Sequence, residues 1–525
     1  MKNRQIKDRE VFINPDYNKL ADPFSVPGMK EAVKRIKKAT AKKEKVGIFM
    51  DYDADGIPGG AIIYKAFQIL GVEAIPYVPK REDGYGLNEK AIKSFQQSDV
   101  SLLITVDCGI GNAKEIAYAK KNEIETIVTD HHELGDDLPE AINVHPLIEK
   151  NNKLRFRDFS GGGVAFLLAK ALASKTGQEK WLLDLAAISS IADVVSLKED
   201  NRLIVKYGLL VLNKTRNLGL RALSRTAGLK KGLIGTYEVG YMIAPRINAA
   251  GRISSPRKSF ELLTTDNLKR AEELAKELDQ LNTERQEILE KARNEAEERI
   301  LAKGLFKNKI VVLKNPAWPE GIIGLVAGKI AQKFWRPAII LNEREGKIKG
   351  SARSIPGINI TEFLSLNGKY LLNFGGHEQA AGLTLKKDRF KAFEKSVLKN
   401  SLKLKDELFE KNLKIDAVVE ENDLKLSLAK ALQKLEPFGA GNPKPVLALE
   451  NAKIVSIRRV GREGKHLKIE IEKSARTHSV ICFYFERNGW DLKRGEIVDL
   501  AFSLKANEFN GREKLDMVLE DVRKK

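Results

Sequence analysis

One stretch of the chain, from Val46 to Gly56, limits the possible folds more than any other. The apolar run Val46–Met50 is typical of a short buried strand, and a helical pattern follows Gly56. Strand, turn and helix in this order form the first half of a βαβ unit, whose ligands bind at the carboxyl ends of the strands. The turn carries three carboxylates at alternate positions: Asp51, Asp53 and Asp55. Three like charges so close together favour a bound cation, although a solvated acidic turn would also fit this segment alone.

Acidic or imidazole side chains also follow three later apolar segments. These side chains are Asp107, then Asp130, His131 and His132, and finally Asp193. Two of the segments, Val100–Val106 and Ile124–Thr129, are predicted strands, so their carboxyl ends belong to the same kind of ligand site. Carboxylate oxygens with one or two imidazoles suit Mn²⁺ or Mg²⁺, whereas Zn²⁺ more often draws cysteine. Several carboxylates shared by two cations about 3.5–4 Å apart form a clamp for phosphoryl transfer.

The four acidic blocks resemble those of a known superfamily. DYDADG, TVDCG, VTDHHE and IADVV look like motifs I to IV of the DHH phosphoesterases, in that order. The resemblance extends over nearly the whole chain to the RecJ family, exonucleases that are specific for single strands and act from the 5′ end. It implies that two Mn²⁺ or Mg²⁺ ions are held by Asp51, Asp53, Asp55, Asp107, His131 and Asp193. It also implies three catalytic residues: Asp107 as the bridging ligand, His131, and His132 as a contact to phosphate.

Two arginines in the first part of the chain are candidate phosphate contacts. Arg81 lies in the glycine-broken loop Pro79–Leu87, and Arg252 ends the run Pro245–Arg252 beside small residues. A guanidinium is suited to forked contacts with phosphate. A surface arginine in a turn and a helix cap with an ion pair are the structural alternatives, and the resemblance to the RecJ pattern favours the phosphate role.

A glycine-rich pattern around a histidine marks the second half of the predicted site. In Phe374–Gly382, glycines, an imidazole and small residues would let backbone N–H groups close around an anion. The segment FGGHEQAAG resembles the signature of the DHH-associated domain. By that resemblance, substrate phosphates are held opposite the metals by Ser351, Arg353, Gly375, Gly376 and His377.

Other segments have a structural interpretation. Gly161–Gly163 precede a helical pattern, and close packing of helix on sheet is favoured over a phosphate cradle. Asn201 and Arg202 match the RecJ pattern, where they would brace the site. Pro58 and Pro319 depart from that family, which usually has a hydroxyl residue and a histidine there; proline at 58 suits a first helical turn. Neither proline is expected to bind metal.

The second half of the chain adds a connector and a barrel. From Asp266 to about Lys303 the pattern predicts one helix of roughly 55 Å, a connector between two lobes rather than a free coiled coil. Its apolar stripe is interrupted by Arg285. Five short alternating strand patterns near the C-terminal end, with glycine turns, predict a Greek-key barrel of OB type. The basic residues among them suit a single-strand groove, with a solvated strand face as the alternative: Arg458, Arg459, Arg462 and Lys465.

The length of 525 residues exceeds what one core supports. The predicted fold is α/β, with a parallel-sheet DHH core, a long connector helix, a second α/β lobe and a C-terminal OB-type β-barrel. The expected domains are an N-terminal lead-in (1–44), the DHH catalytic domain (45–265), the connector helix (266–303), the DHH-associated substrate-binding domain (304–404) and the OB-fold nucleic-acid-binding domain (405–525). A cytoplasmic protein is expected, because the chain lacks a long apolar run, a signal-peptide pattern at its start and more than two cysteines.

The net charge of +20 favours a polyanionic partner, although many lysines must be solvated surface. The predicted function is a metal-dependent 5′-to-3′ exonuclease on single-stranded DNA that releases 5′-mononucleotides in DNA repair and recombination, with polarity and product taken from the resemblance. A phosphodiesterase of cyclic dinucleotides or short oligonucleotides is one alternative, but such enzymes lack the barrel. A non-catalytic replication partner is another, but those proteins have lost the metal ligands. The expected partners are single-stranded DNA, single-strand-binding protein and a helicase, and no membrane.

Overall fold

A computed structural model of the chain describes residues 2–4, 6, 8–148, 154, 156–344, 346–461, 464–474, 476–485, 490–509 and 512–525. These residues form two compact units. The two-lobe unit comprises Pro23–Asp193 and Leu209–Lys411, and the barrel unit comprises Met1–Asp22, Val194–Gly208 and Asn412–Lys525. The segment Val194–Gly208, which lies inside the predicted 45–265 domain, therefore belongs with the barrel unit.

The first lobe of the two-lobe unit is built on a parallel sheet. Its strands are β1 Lys45–Met50, β2 Ala74–Tyr77, β3 Val100–Val106, β4 Glu125–Thr129 and β5 Ile142–Val144. They pair in the order β2-β1-β3-β4-β5, all parallel. β1 and β3 are buried along almost their whole length, as expected of central strands. Because β2 and β3 lie on opposite sides of β1, the carboxyl end of β1 is the switch point at which open sheets bind ligands.

The helix after β1 starts directly in the acidic turn. Asp53 Oδ1 accepts hydrogen bonds from the backbone N–H groups of Asp55 at 2.7 Å and Gly56 at 3.1 Å, so a side chain folds the turn. A Cβ atom on Gly56 would lie 2.5 Å from the backbone oxygen of Asp51, so only glycine fits there. The helix, Gly56–Leu70, holds Pro58 in its first turn, as predicted. The other α-helices between Met29 and Thr264 are Met29–Lys42, Glu89–Gln97, Ala113–Lys121, Gly161–Ala173, Leu183–Ala192, Glu199–Leu212, Leu218–Thr226, Thr236–Glu238, Ala244–Ile253 and Arg257–Thr264.

The predicted connector is a single helix, Leu268–Ala302, of 35 residues. Its first half, including Leu274 and Leu278, is buried against the first-lobe helices Leu218–Thr226 and Ala244–Ile253. Its second half contributes apolar side chains such as Leu289 to the core of the second lobe. The two halves of the helix are therefore buried in different lobes. This confirms the prediction of a connector and excludes the alternative of a free coiled coil.

The second lobe contains a mixed sheet. Its strands are β6 Val311–Lys314, β7 Ala338–Arg344, β8 Lys347–Arg353, β9 Leu371–His377 and β10 Ala380–Lys386, in the order β6-β7-β8-β10-β9. Helix Glu320–Phe334 packs with the connector on one face. Helices Ile360–Ser365 and Phe390–Ser401 cover the other face. β9 is an edge strand, and all its residues after Leu371 are exposed.

The barrel unit contains the predicted OB-type barrel. Its strands are β11 Ala417–Val418, β12 Leu447–Val460, β13 His466–Lys473, β14 Arg476–Cys482, β15 Ile497–Phe509 and β16 Arg512–Lys524. They follow the order β11-β12-β13-β14-β16-β15, and β12 also pairs with β15, which closes the barrel around an apolar core. The last two strands, of 13 residues each, are longer than the short strands predicted from the sequence, because charged residues extend the hairpin without an apolar alternation. The α-helices of this unit in the described ranges are Arg9–Ile13, Leu426–Gln433 and the larger part of Glu199–Leu212.

Both cysteines of the chain are buried. Cys108, in the two-lobe unit, is a buried free thiol. Cys482, in the barrel unit, is another. Among the helices in the described ranges, none combines the length and the apolar character needed to cross a membrane.

Candidate active site

Three acidic residues lie side by side at the carboxyl edge of the first sheet. Met50 pairs with Val106, and Val106 pairs with Thr129, across the parallel strands β1, β3 and β4. The ladder continues one step further, since the N–H group of Asp107 donates to the backbone oxygen of Thr129 at 2.9 Å. The residues that follow the three strands are therefore neighbours: Asp51, Asp107 and Asp130.

Seven possible ligands converge at this edge. His131 Nε2 lies 3.1 Å from Asp107 Oδ1 and 3.7 Å from Asp55 Oδ2. Asp193, at the end of helix Leu183–Ala192, places Oδ2 3.8 Å from the same nitrogen. The ligand atoms lie within 4.8 Å of one another in each of three groups: Asp107, His131 and His132; Asp55, His131 and Asp193; and Asp51, Asp53 and Asp107. All six residues predicted to bind metal lie in this cluster, and His132 is the seventh member.

The electrostatics of the cluster fit divalent cations. Burial, followed by the charges of neighbouring aspartates, raises the pKa values of Asp51, Asp107 and Asp193. Burial lowers the pKa of His131, which favours the neutral imidazole that binds metals. Asp51 Oδ1 is buried and has no hydrogen-bond partner within the described residues. Repelling carboxylates, a neutral imidazole and an unpartnered oxygen are the donor set that Mn²⁺ or Mg²⁺ would satisfy.

The carboxylate of Asp55 is held by the start of a helix. Its oxygens accept hydrogen bonds from the N–H groups of Gly161 and Gly162, both at 2.8 Å, and from the hydroxyl of Ser189. A Cβ atom on Gly161 would lie 2.4 Å from Asp107 Cβ, and one on Gly162 would lie 2.3 Å from Ser189 Oγ. The glycine run therefore permits close packing and binds a carboxylate with its free helix N–H groups.

Asp130 holds the last histidine of the cluster in place, a role that the sequence analysis missed. Its Oδ1 atom accepts from the ring Nδ1 of His132 at 2.7 Å and from the backbone N–H groups of both histidines, while Oδ2 accepts from Ile110 N–H at 3.0 Å. Burial would raise the pKa of Asp130, but the hydrogen bond and charge of His132 outweigh it and lower the pKa to about 2. Burial would lower the pKa of His132, and Asp130 reverses this, so the pKa is raised.

Tyr85 was also missed by the sequence analysis. Its hydroxyl lies 3.2 Å from the ring nitrogens of His132 and donates to the backbone oxygen of Asp107 at 3.3 Å. It stands between Gly84 and Gly86, whose φ angles of 93° and 85° favour glycine. An aromatic residue between two glycines in the predicted Arg81 loop was the available signal.

Three predicted phosphate contacts form an arginine cluster, consisting of Arg81, Arg252 and Arg353. Arg81 Nε donates to the backbone oxygen of Gly251 at 3.2 Å, and Arg252 Nη1 donates to that of Gly321 at 2.9 Å. Burial, followed by the charges of neighbouring arginines, lowers the pKa of Arg252 to about 10. Their hydrogen bonds go to carbonyl and hydroxyl oxygens, and none of the three makes an ion pair within the described residues.

Ser351 and His377 adjoin the arginine cluster in the second lobe. Arg353 Nη1 donates to Ser351 Oγ at 3.0 Å. Ala380 in β10 pairs with Arg353 on one side and His377 on the other, so Arg353 and His377 lie on the two strands that flank β10. The ring of His377 stacks on that of His132, with centroids 5.6 Å apart. Residues of the second lobe thus meet the carboxyl edge of the first sheet.

The two glycines before His377 differ in their surroundings. Both lie in β9, paired with β10, and not in a loop. Gly376 has a φ of 149°, and a Cβ atom there would lie 2.2 Å from the backbone oxygen of Ala380. A Cβ atom on Gly375 would meet nothing within 4 Å. Gly376 is therefore required by the backbone, whereas Gly375 leaves open space beside the histidine.

The predicted groove of the barrel unit is basic and partly aromatic. Arg462 lies outside the described residues. Phe483 and Tyr484 are 51% and 47% exposed and pack edge-on to His466. This aromatic group was not predicted from the sequence, where a Phe-Tyr pair at the end of an alternating strand was the available signal. The described basic residues are all exposed: Arg458, Arg459 and Lys465.

Arg202 has a structural role inside the barrel unit. Its guanidinium donates to the backbone oxygens of Phe12 at 3.0 Å, Leu435 at 3.1 Å and Glu436 at 2.8 Å. It also lies 3.8 Å from the centroid of the Phe12 ring. Arg202 therefore ties three segments of the barrel unit together, whereas the resemblance implied that it braces the predicted site.

Comparison with known proteins adds three family matches. Residues 45–191 match the DHH family, N-terminal domain, residues 307–401 match the DHHA1 domain, and residues 415–521 match the RecJ OB domain. Single-stranded-DNA-specific exonuclease RecJ of Bacillus subtilis is 39% identical over 98% of this chain. The chain spans 65% of the length of that relative.

The chain is also similar to solved structures of RecJ. The crystal structure of RecJ in complex with Mn²⁺ from Thermus thermophilus matches with a TM-score of 0.87 and 31% identity, over 100% of this chain and 75% of that one. The Mg²⁺ complex of the same protein matches with a TM-score of 0.80 and 30% identity, over 100% and 74% of the two chains. These similarities agree with the fold and with the acidic cluster described above.

Proposed function

The chain belongs to the RecJ family of single-stranded-DNA-specific exonucleases, and we propose that it hydrolyses single-stranded DNA from the 5′ end and releases 5′-mononucleotides. One observation carries this proposal beyond family membership. A cluster of metal-type ligands, centred on His131, lies in the same unit as an arginine cluster without ion pairs, and the stacked rings of His132 and His377 join the two. Such a pair of sites can hold a reacting phosphodiester and a second phosphate at once.

The acidic cluster would hold two Mn²⁺ or Mg²⁺ ions. Bound metal supplies the Lewis acidity that lowers the barrier to attack of water on the phosphodiester. Asp107 and His131 each belong to two of the three ligand groups, and Asp107 is the better candidate for a shared ligand because a carboxylate has two oxygens to offer. Asp55 is held rigidly by helix N–H groups, so it keeps its oxygens in place without metal. The proposed ligands are Asp51, Asp53, Asp55, Asp107, His131 and Asp193.

His132 would act on the substrate rather than on metal. Asp130 occupies its Nδ1 atom and favours the charged imidazolium, so the ring can donate a hydrogen bond to a phosphate oxygen from the other side. The hydroxyl of Tyr85 lies within hydrogen-bond distance of the ring nitrogens and also restrains the ring. Together these two contacts leave His132 one orientation, directed toward the groups around Asp107 and His377.

The arginine cluster with Ser351 and His377 would bind the 5′-terminal phosphate. A terminal phosphate carries more charge than an internal diester and so prefers guanidinium groups that have no carboxylate partner. Open space at Gly375 leaves room for the end of the strand. With one nucleotide between this pocket and the metals, the scissile bond would be the first internucleotide bond, which sets the polarity.

The barrel unit would hold the rest of the strand. Exposed arginines bind the backbone without regard to sequence, and Phe483 and Tyr484 offer ring faces for bases. We further propose that the protein acts in the cytoplasm, with single-strand-binding protein and a helicase as partners, because an exonuclease on single strands needs unwound substrate. This part rests on the family resemblance.

One assay tests the proposed function. Single-stranded DNA labelled at either end is incubated with the protein, with and without Mn²⁺. We expect metal-dependent release of a mononucleotide, with the 5′ label freed at the earliest time points. Early release of the 3′ label, or equal rates with a chelator, would refute the proposal. Faster cleavage of a cyclic dinucleotide than of long DNA would favour the short-substrate alternative.

A further inference from the structure

Arg285 is a buried arginine in the middle of the connector helix. It is 8% exposed and interrupts the apolar stripe of Leu268–Ala302. Its guanidinium makes one hydrogen bond within the described residues, from Nη2 to the neutral amide oxygen of Asn282 at 2.9 Å. Its Nε atom is buried and has no hydrogen-bond partner there. A leucine at this position would continue the stripe, so packing gives no reason for an arginine.

Two arginines on the connector and on the helix beside it are neutralised, and Arg285 is not. Arg246, on the adjacent helix, pairs with Asp279 at 2.8 Å. Arg293, two turns further along the connector, pairs with Glu290 at 2.7 Å. Arg285 makes no ion pair within the described part of the chain, and burial, followed by the charge of Arg246, lowers its pKa. A buried cation without an anionic partner destabilises a fold, so such residues are retained where a ligand supplies the anion.

The connector helix brings Arg285 toward the arginine cluster. It packs along helix Ala244–Ile253, where Arg246 pairs with Asp279. Arg285 follows Asp279 by six residues, and Arg252 follows Arg246 by the same number. Burial lowers the pKa of Arg252, and the positive charges of Arg81, Arg285 and Arg353 add to this effect. Arg252 also contacts Gly321, at the start of the helix that packs on the second half of the connector. The connector therefore carries a fourth guanidinium to the same region, and none of the four has a carboxylate within ion-pair distance in the described ranges.

We propose that Arg285 is a further anion-binding residue of this pocket and that it selects a terminal phosphate, with two negative charges, over an internal diester with one. This inference rests on the proposed function for the identity of the strand end. The binding of a phosphate dianion by the four arginines does not rest on the proposed function, because it follows from their unpaired charges alone. Occupation of the pocket removes the repulsion among the guanidinium groups, which otherwise costs stability.

Thermal unfolding of the full chain in a chelator, with inorganic phosphate as the probe, tests the binding step. Arg285→Met removes an unpaired buried charge, so we expect an unchanged or higher Tm without phosphate. The rise in Tm on adding phosphate should shrink to less than half of the wild-type rise, because ligand stabilisation follows affinity. Arg285→Lys keeps the charge and should keep most of the response. Arg293→Met is the matched control on the same helix and should respond to phosphate like the wild type.

Kinetics test the selectivity. The ratio of kcat/KM on 5′-phosphorylated over 5′-hydroxyl DNA should fall about tenfold in Arg285→Met, the loss expected of one charge-assisted contact, and should not change in Arg293→Met. An undiminished phosphate response in Arg285→Met, or equal losses on both substrates with a lowered Tm, would overturn the inference and make Arg285 a packing residue. If wild-type protein cleaved no DNA but Arg285→Met lost the phosphate response, the anion site would stand and the proposed function would fall.

Discussion

The imidazole ring of His132 lies nearly parallel to that of His377, with 19° between their planes and 5.6 Å between their centroids. His132 follows β4 of the first sheet, whereas His377 ends the edge strand of the second. This contact joins the acidic cluster to the arginine cluster within one unit. The orientation of the His132 ring is set by Asp130, which lies 2.7 Å from its Nδ1 atom.

Asp130→Asn should lower kcat by roughly 100-fold with little change in KM, the scale of a misplaced proton donor. The amide cannot favour the imidazolium or fix its Nδ1–H as the carboxylate does, so His132 loses both charge and orientation. Steady-state kinetics on 5′-phosphorylated DNA measure the effect. Asp136→Asn, an exposed carboxylate in the same loop, is the control. A kcat near the wild-type value would show that His132 does not act in the reaction.

Asp107→Ala should reduce hydrolysis by at least about 10³-fold while single-strand binding survives, because cationic surfaces supply most of the affinity. Asp107 has a φ of 62°, which alanine tolerates poorly, so Asp107→Asn is the second variant. Turnover and fluorescence anisotropy with labelled DNA are measured on both. Turnover close to normal in Asp107→Asn would contradict the two-metal assignment.

Arg252→Lys should weaken cleavage of 5′-phosphorylated DNA more than cleavage of 5′-hydroxyl DNA, although the charge is kept. A lysine cannot donate to Gly321 and to a phosphate in the planar geometry of a guanidinium. The ratio of kcat/KM on the two substrates should fall by about fivefold to tenfold. Equal losses on both substrates would leave Arg252 as a general backbone contact.

The double variant Arg458→Gln and Arg459→Gln should weaken binding of long single strands and reduce the slope of log affinity against log salt by roughly 1.4, from two lost phosphate contacts. Cleavage of a dinucleotide should not change. Substitution is a cleaner test than truncation, because Arg202 hydrogen bonds to Leu435 and Glu436 in the same unit. Arg523→Gln, whose arginine pairs with Asp499, is the control. An unaltered salt slope would make this face a solvated surface.

His145 should make the fold acid-sensitive. It is fully buried, and burial lowers its pKa from 6.5 to about 4. Between these values the unfolded chain binds a proton that the folded chain does not, so stability present above pH 6.5 is lost as pH falls toward 4. The full loss is on the order of 3 kcal/mol. His145→Gln should have a smaller difference in Tm between pH 7 and pH 5 than the wild type, and an identical difference would contradict the assignment.

Much of the architecture was predictable because its signals are local. An apolar run before alternating aspartates is a strand that enters an acidic turn, and the strands β1, β3 and β4 appeared where the sequence placed them. Fold class and family followed from the order of these blocks. The lengths of β15 and β16 did not follow, since their outer halves carry charged residues whose pairing depends on the partner strand.

The sequence by itself determined which acidic and imidazole side chains converge and in which order they follow the strands. Parallel strands bring their carboxyl ends to one edge of the sheet, whatever lies between them in the chain. The tertiary structure decided which group holds which. Asp130 orients His132, the N–H groups of Gly161 and Gly162 hold Asp55, and Arg285 adds its charge to that of Arg252. Only the Asp130 contact is local in sequence, and it was missed because a carboxylate beside two histidines can serve as a ligand or as a support. The others join residues tens of positions apart, and only helix packing sets their distances.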